Sequence, residues 1–487
     1  MEESSQSVGD SENPEAKNPS DMLPPECNIF QLEEHQPLFK NSDNESFWKE
    51  DWIDYSEYAG DFEDIVQREK IQFKETEYEA EPVYLGITPE GSNYRASYYI
   101  GAAWLAPPKA ADAKNHKAVV ITPKMQDIDF IELFLSALKC ASATEYFTRF
   151  YGIDFNKPSI QTDVFDNVLS PLLLIHFVCL LEKLLKRGLK KGFVRWEENL
   201  NGKIKGRILI AKNIQKNLRT QRQERTYCGY QEWTVDTLEN RILKKALKFS
   251  RQMLKTLHIS EHPKLKEIDW SITRMLFAFE QVGDEMQSAQ IRQIKVNKCW
   301  REYAETLKVA QMILRRFEYS VEKAGQKQTS TPPFWIDMSR LYEMYVYSKL
   351  LEAYGNEIGF QVKGYYNSAV DFIKKDERLI MDTKYKPQYG NSNNGIIDDI
   401  RQISSYARDT RILQALGEDK NSIKEIKCII IFPETYKIDG GEKESGTAFM
   451  EKTAFSQEEK LLQKASEIPH FRNFFKLPFS LPKKKGE

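Results

Sequence analysis

The chain has 487 residues, which is long enough for about three domains that each bury a core. Its formal net charge of −2 excludes a polycation, so any contact with nucleic acid must come from local basic patches. Six scattered cysteines without a Cys-x-x-Cys pair support neither a zinc ribbon nor a disulfide framework. The acidic N-terminus lacks the pattern of a signal peptide, and the longest apolar stretch, Pro171–Leu181, is too short for a bilayer. We therefore expect a cytoplasmic protein without a membrane partner.

Four regions follow one another along the chain. Residues 1–26 are polar and acidic, which predicts a disordered tail. Residues 27–152 contain short apolar runs between Pro and Gly breaks, which predicts a β-rich domain. Residues 153–324 are predicted to be mainly helical, and residues 325–487 form a linker and a C-terminal domain. The predicted strands are Pro82–Ile87, Tyr94–Trp104 and Ala118–Thr122, the predicted helices are Ile128–Cys140, Val168–Arg187, Thr237–Leu257, Ala289–Lys323 and Gln457–Ile468, and the predicted linker is Gly325–Pro333.

Basic residues are dense within the middle region, around a short hairpin that we predict at Gly202–Ile210. Such a cluster is typical of a surface that contacts a phosphate backbone or an acidic partner. A face that is merely solvated has the same composition, and both interpretations stay open. The residues of interest are Lys203, Lys205, Arg207 and Lys212.

Two short apolar segments in the C-terminal region, Ala369–Ile373 and Leu379–Lys386, are predicted to form a β-hairpin. Asp382 and Lys384 then share one face, because alternate residues of a strand point the same way. The hairpin can bring Asp371 beside them. Two carboxylates next to an ammonium group are what a Mg²⁺-dependent nuclease needs, since carboxylates hold the cation and lysine supports the water nucleophile.

Spacing alone is weak support for this interpretation. With 29% charged residues, the chain repeats an acidic residue two positions before a lysine elsewhere, for example at Glu425 and Lys427. An ordinary surface hairpin with a salt bridge explains the pattern equally well. The neighbouring elements favour a site. A predicted helix at Asp337–Tyr354 carries Glu343, and a second at Asp398–Arg408 carries Gln402 and Tyr406 four residues apart.

The order helix, strand, strand, helix, strand resembles the PD-(D/E)xK nuclease superfamily. More narrowly, it resembles the C-terminal domain of the McrC family, the nuclease subunit of McrBC-type modification-dependent restriction systems. The most specific string is Asp-Thr-Lys-Tyr-Lys at residues 382–386, and Gln402 with Tyr406 matches a Gln-x-x-x-Tyr arrangement. Val370 departs from the family, in which a proline often precedes the first aspartate.

The resemblance extends upstream through roughly residues 84–432. Gly202–Asn213 and Asp236–Leu247, a segment that includes Asn240 and Arg241, look like the middle region of McrC proteins. Tyr99–Gly101 and Ile121–Lys124 resemble its N-terminal β-rich region. The resemblance implies a multidomain α+β protein with a β-rich partner-binding domain, a helical middle domain and a PD-(D/E)xK α/β nuclease domain built on a mixed central sheet.

The family also implies roles for the site residues. Asp371, Asp382, the Thr383 carbonyl and Glu343 would bind Mg²⁺. Lys384 would activate water, and Gln402 and Tyr406 would support the site. Weaker candidates for a contact with DNA or with a partner are Lys386, Lys203, Lys205, Arg207, Lys212, Asn240 and Arg241.

The sequence contains no P-loop, because Thr447 stands where the lysine of Gly441–Gly446 would follow. A motor would therefore be another chain, and the resemblance implies a McrB-like AAA+ GTPase hexamer that binds the GTP and reads modified cytosine in double-stranded DNA. Two alternatives stay open. The chain would be a non-catalytic activator or scaffold of such a GTPase, or a stand-alone repair or transposition nuclease of the same superfamily.

Overall fold

The computed structural model describes residues 27–39, 53–58, 60, 86–90, 93–106, 116–125, 127–139, 150–154, 157–162, 164–256, 263–284, 301–322, 330–366, 368–386, 396–419, 424–433, 455 and 461–484. Several predictions fall outside these residues. They are the disordered tail at residues 1–26, most of the first predicted strand, residues 289–300 of one predicted helix and residues 325–329 of the linker.

The described elements form a mixed α/β protein with several sheets. In chain order the strands are β1 (Cys27–Glu33), β2 (Pro37–Phe39), β3 (Ile53–Asp54), β4 (Ile87–Glu90), β5 (Asn93–Ala96), β6 (Tyr99–Ala106), β7 (His116–Thr122), β8 (Tyr151–Ile153), β9 (Ile160–Gln161), β10 (Gly192–Asn201), β11 (Arg207–Ile208), β12 (Arg225–Thr234), β13 (Ser330–Thr331), β14 (Phe334–Asp337), β15 (Ile358–Lys363), β16 (Ala369–Lys374), β17 (Leu379–Thr383), β18 (Lys427–Phe432), β19 (Ser466–Glu467) and β20 (Phe474–Pro478). The helices are α1 (Phe130–Lys139), α2 (Asp166–Arg187), α3 (Ile210–Asn213), α4 (Leu238–Thr256), α5 (Pro263–Ala278), α6 (Arg301–Glu322), α7 (Met338–Tyr354), α8 (Ile396–Tyr406), α9 (Thr410–Ala415) and α10 (Leu461–Lys464).

The chain divides into two compact units. The described parts of residues 1–124, 149–164 and 328–338 belong to the first unit, and the remainder belongs to the second. The first unit is therefore assembled from three separate stretches of chain. Its last stretch includes β13 and β14, so the end of the predicted linker is part of a folded unit.

The first unit is built on a five-stranded sheet with the order β1-β7-β6-β14-β8. Strand β14 pairs with both β6 and β8, so a segment from far along the chain completes this sheet. Gly101 makes the pairing possible. A Cβ atom there would lie 2.1 Å from the backbone oxygen of Phe334, and its φ of +149° favours glycine. Sequence composition identifies the turn residues around β14 but not its distant partners.

Helix α2 is the centre of the helical part of the second unit, where it packs against α1, α4, α5 and α6. The apolar stretch that was predicted to be too short for a membrane extends into a 22-residue helix. By length and composition, Val168–Arg187 is the one described segment capable of crossing a bilayer. Its most apolar part is 78% buried inside the protein, which is typical of a core helix.

A three-stranded sheet with the order β10-β12-β11 interrupts the helices. Strands β10 and β12 pair along ten residues each, from Gly192 with Thr234 to Asn201 with Arg225. The short hairpin predicted at Gly202–Ile210 is wrong, because only Arg207 and Ile208 form a strand and their partner is β12. We call residues 192–234 the arm. Its long ribbon was missed because charged residues interrupt the apolar alternation on which strand prediction depends.

The C-terminal part of the second unit contains a six-stranded mixed sheet with the order β15-β16-β17-β18-β20-β19. Strands β15, β16 and β17 are antiparallel, whereas β17, β18 and β20 are parallel. Helix α7 packs on one face, where Tyr347 stacks on Phe360 with ring centroids 4.1 Å apart. Helix α8 packs on the other face, where Ile403 joins a core with Ile380.

Strands β15, β19 and β20 were absent from the predicted order of elements. The helix predicted at Gln457–Ile468 is described only as the four residues of α10, which are followed by β19. Strand β20 extends the sheet beyond β18, and the Tyr342 hydroxyl of α7 donates a hydrogen bond of 2.7 Å to the Phe479 carbonyl just after it. The end of the chain thus helps to fix the helix that carries Glu343.

Candidate active site

The predicted hairpin opens into a fork at its acidic residues. Strands β16 and β17 pair only as far as Phe372 with Met381. Beyond this pair the Asp371 carboxylate takes the place of a backbone partner. Its Oδ2 accepts hydrogen bonds from the Thr383 amide at 2.7 Å and the Thr383 hydroxyl at 2.6 Å. Asp371 is therefore held at the fork by two donors from the neighbouring strand.

Asp382 and Lys384 lie next to each other at the same fork, as their spacing predicts. The Lys384 Nζ is 2.5 Å from Asp382 Oδ2. Asp382 is 3% exposed, and among the described residues the Lys384 ammonium group is the one polar partner shown for this oxygen. A carboxylate oxygen has more than one lone pair, so a single ammonium neighbour leaves acceptor capacity unused. This oxygen has the capacity to bind a cation.

Helix α8 contributes a short relay to Lys384. The Lys384 Nζ donates to Gln402 Oε1 at 2.8 Å, and the Gln402 Nε2 donates to the Tyr406 hydroxyl at 2.9 Å. Tyr406 is buried in the core beneath the helix. The four-residue spacing of Gln402 and Tyr406 thus places both on the face that meets the sheet. The relay fixes the direction of the Lys384 ammonium group.

Glu343 reaches the fork from the opposite helix, α7, through an intermediary. The Gln361 Nε2 donates to Glu343 Oε1, and it lies 3.4 Å from Asp371 Oδ1. Gln361 is a residue that sequence reasoning missed, because it lies on the unpredicted strand β15. No motif marks it. An Asp or Glu two residues before a lysine attracts attention, but a single glutamine does not.

Both aspartates have pKa values far above the ordinary range. Burial raises the pKa of Asp371 to about 7, and the negative charge of Glu343 adds to the rise. Burial also raises the pKa of Asp382 to about 7, with Asp371 adding to the rise and Lys384 opposing it. Burial alone would lower the pKa of Lys384, but the ion pair with Asp382 outweighs it and the pKa is raised. Two carboxyl groups that resist ionisation side by side are suited to share a cation.

The donor set fits Mg²⁺ in part. Asp371 and Asp382 present oxygen atoms at one fork, and oxygen is the ligand type that Mg²⁺ prefers. Among the residues that the structure describes, no three His, Cys, Asp or Glu side chains converge as a preformed metal cluster. Glu343 accepts a hydrogen bond from Gln361, which in turn lies next to Asp371. Two carboxylates therefore lie at the fork, and Glu343 is a third carboxylate linked to them through Gln361.

Lys386, the weaker candidate for a phosphate contact, has a partner within the domain. Its Nζ lies 2.8 and 3.0 Å from the two carboxylate oxygens of Asp399, which is buried in the first turn of α8. This bidentate pair ties the strand end beyond Lys384 to the helix that carries Gln402. The geometry gives Lys386 a role in anchoring α8.

The middle-region candidates separate into surface and interior residues. Lys203 and Arg207 are exposed, and within the part of the arm that the structure describes neither makes an ion pair. Lys205 and Lys212 are exposed and pair with Glu232 and Glu197 on the arm itself.

Asn240 and Arg241 are occupied within the protein. The Asn240 side chain is fully buried, donates to the backbone oxygens of Lys190 and Val235 and accepts from Tyr303. Arg241 forms a bidentate pair with Asp236 at 2.7 Å. Because Asn240 is fully buried and its side chain is used by these contacts, its predicted contact with DNA or a partner is wrong and it packs α4 instead. The Arg241 side chain is 21% exposed, and its contact with DNA or a partner stays a prediction.

Comparison with known proteins gives one family and two solved assemblies. A family model described as McrBC 5-methylcytosine restriction system component matches residues 110–415, which is more than half of the chain. A chain of the refined half-complex of Thermococcus gammatolerans McrB AAA+ hexamers with bound McrC is 15% identical, with 93% of this chain and 95% of that chain covered and a TM-score of 0.38. A chain of the cryo-EM structure of the Thermococcus gammatolerans McrBC complex is 14% identical, with 66% and 87% covered and a TM-score of 0.28. No curated protein matches significantly.

Proposed function

The chain belongs to the McrBC 5-methylcytosine restriction system component family, and from that premise we propose that it is the DNA endonuclease subunit of such a system. The observation that carries the proposal is the fork between β16 and β17. There Asp371 and Asp382 lie close together, Lys384 contacts Asp382, and both carboxyl groups have a raised pKa. A clustered pair of perturbed carboxyl groups beside a lysine is typical of catalytic sites.

We propose that Asp371 and Asp382 hold the catalytic Mg²⁺, with Glu343 and the Thr383 carbonyl as further ligands. When bound, Mg²⁺ supplies a Lewis acid that polarises the scissile phosphate and acidifies water. Thr383 fixes Asp371 through its amide and hydroxyl groups. Lys384 positions the attacking water and stabilises negative charge that develops on the phosphate oxygens. Gln402 and Tyr406 keep the Lys384 ammonium group aimed at the fork.

We further propose that energy and base recognition come from a McrB-like AAA+ GTPase in the cytoplasm. Membership of the McrBC family supports this partner, and so does the absence of a P-loop from the sequence. The substrate would be double-stranded DNA with modified cytosine. The chain itself would bind neither GTP nor the modified base.

The arm is our candidate for the surface that contacts this partner. It exposes large apolar side chains that a protein surface normally covers, including Phe193 at 71%, Ile210 at 69% and Trp233 at 58%. Lys203 and Arg207 add exposed positive charge on the same arm. Exposed apolar residues together with charged ones are typical of protein interfaces. Interfaces with a nucleic-acid backbone rely mainly on charge.

Reconstitution tests the proposal. The chain is purified together with a McrB-type AAA+ GTPase, and cleavage of methylated and unmethylated plasmid DNA is measured with Mg²⁺ and GTP. We expect cleavage of the methylated plasmid that requires GTP and is lost in Asp382→Asn. Stimulation of GTP hydrolysis by the wild-type protein without any cleavage would instead identify a non-catalytic activator. Cleavage without GTP or the partner would identify a stand-alone nuclease.

A further inference from the structure

Gln361 lies in the sheet at a position whose backbone conformation is unfavourable for any residue with a side chain. Its φ is +47°, in the left-handed region that glycine adopts without strain and that a glutamine side chain disfavours. It lies in the middle of β15, opposite Asp371. The flanking pairs Phe360 with Phe372 and Val362 with Val370 are formed, but no backbone pairing joins Gln361 to Asp371.

The side chain makes contacts that a glycine could not make. Its amide group donates to Glu343 from α7 and lies 3.4 Å from Asp371 Oδ1. A single carboxamide therefore stands between two carboxylates that repel each other, as the effect of Glu343 on the pKa of Asp371 shows. Local strain that persists at such a point is often part of how a site is organised.

We propose that Gln361 is a positioning residue that ties Glu343 to Asp371 and thereby makes the third carboxylate available to the cation site. This inference rests on the proposed nuclease function and adds a residue to it. Without the amide, Glu343 loses its hydrogen bond from Gln361 while the repulsion from Asp371 remains, so its carboxylate is held less closely to the fork. Residues that orient metal ligands typically contribute about 10- to 100-fold to metal affinity.

Two variants of the full-length chain test the inference through cation binding, with Mn²⁺ as the probe in isothermal titration calorimetry. Gln361→Met keeps the length of the side chain but removes the donor. Gln361→Gly removes the side chain and suits the left-handed backbone, so its unfolding temperature should equal or exceed that of the wild type. We expect Mn²⁺ affinity to fall about 10-fold or more in both variants.

Tyr366→Gly is the matched control. Tyr366 also has a left-handed φ, of +54°, and is fully exposed in the turn between β15 and β16. This variant relieves the same kind of backbone strain without touching a carboxylate, and its Mn²⁺ affinity should be that of the wild type.

A double-mutant cycle separates positioning from general structure. If Gln361 acts through Glu343, then Gln361→Met should weaken Mn²⁺ binding no further when Glu343→Gln is already present. Full additivity, or wild-type affinity in Gln361→Met and Gln361→Gly, would overturn the inference. Asp382→Asn tests the proposed nuclease site separately from the role of Gln361. If that variant binds Mn²⁺ and cleaves like the wild type, the proposed nuclease site itself fails.

Discussion

The fork of the C-terminal sheet and the arm contain the same residue types in opposite settings. At the fork, Lys384 pairs with an Asp382 side chain that is almost fully buried. On the arm, Lys205 pairs with Glu232, and Lys212 pairs with Glu197. The exposed fractions of these four side chains lie between 32% and 50%. Water and salt screen the pairs on the arm. At the fork the charges are buried, so they are screened less and interact more strongly with one another.

The difference appears in what each pair does to acidity. On the arm, the hydrogen bond from Lys212 favours the ionised form of Glu197 and lowers its pKa. At the fork, burial and the neighbouring carboxylates prevail over Lys384, and both aspartates have raised pKa values. An ion pair on the surface thus stabilises the ionised carboxylate. At the buried fork one lysine does not offset the burial and mutual repulsion of the carboxylates, and a bound cation would neutralise their negative charge.

Removal of the buried charge at the fork should have the largest effect. Asp382→Asn keeps the size of the side chain but removes one anionic ligand, and we expect DNA cleavage to fall by about 10³-fold or more. Stimulation of the partner's GTP hydrolysis should change less than about twofold, because the arm is untouched. Cleavage of methylated plasmid and phosphate release are measured in parallel. Equal loss of both activities would mean that the fork also serves the partner.

The relay through α8 should have a smaller effect. Gln402→Ala removes the acceptor of Lys384 and frees the Tyr406 hydroxyl, so the ammonium group loses its fixed direction. We expect the single-turnover cleavage rate to fall about 10- to 100-fold while Mn²⁺ affinity stays the same. Ser405→Ala is a suitable control, since Ser405 lies on α8 and its hydroxyl donates to a backbone oxygen of the same helix. Reduced Mn²⁺ affinity in Gln402→Ala would place the glutamine among the ligands.

The raised pKa values predict how the cation-free protein responds to pH. A folded-state pKa of about 7 for Asp382, above its ordinary value of 3.8, means that the folded state holds a proton that the unfolded state releases. Stability is therefore lost as pH rises from about 4 to about 7. The loss is at most about 4 kcal/mol for such a group.

Thermal unfolding in EDTA measures this effect. Asp382→Asn should unfold at a temperature a few degrees above the wild type at pH 8, and the difference should shrink towards pH 5. Addition of Mn²⁺ should stabilise the wild type and not the variant. If the variant is less stable than the wild type at pH 8, the protein stabilises the ionised Asp382 carboxylate and its pKa is not raised.

The sequence predicts the fork better than it predicts the sheet around it. Period-two alternation places Asp382 and Lys384 on one face, and the helical period places Gln402 and Tyr406 together, because these relations are local. Strand β15 escaped prediction, and with it Gln361, whose left-handed backbone breaks the regular alternation. Strand β14 lies between the predicted linker and the predicted helix at Asp337–Tyr354 and was not predicted, because its partners β6 and β8 lie about 180 residues or more away.

Burial is the property that spacing could not supply. Glu425 and Lys427 repeat the spacing of Asp382 and Lys384 and enter the adjacent strand β18, but Glu425 pairs outward with the exposed Arg472. The tertiary fold, and not the motif, distinguishes the two. The same limit explains Asn240, which the family resemblance places in a functional region and the structure places in the packing of α4.

The smallest expected effect belongs to the ion pairs of the arm. Lys205→Gln should change the free energy of unfolding by less than about 1 kcal/mol, since an exposed pair contributes little. Lys203→Glu combined with Arg207→Glu should likewise leave the fold intact but weaken binding of the partner, most strongly at low salt. Binding is measured by calorimetry at 50 and 300 mM salt, with Asp382→Asn as a control that retains wild-type affinity. If the charge reversal leaves affinity unchanged at both salt concentrations, the basic residues of the arm are a solvated face, and the apolar residues Phe193 and Trp233 become the ones to replace.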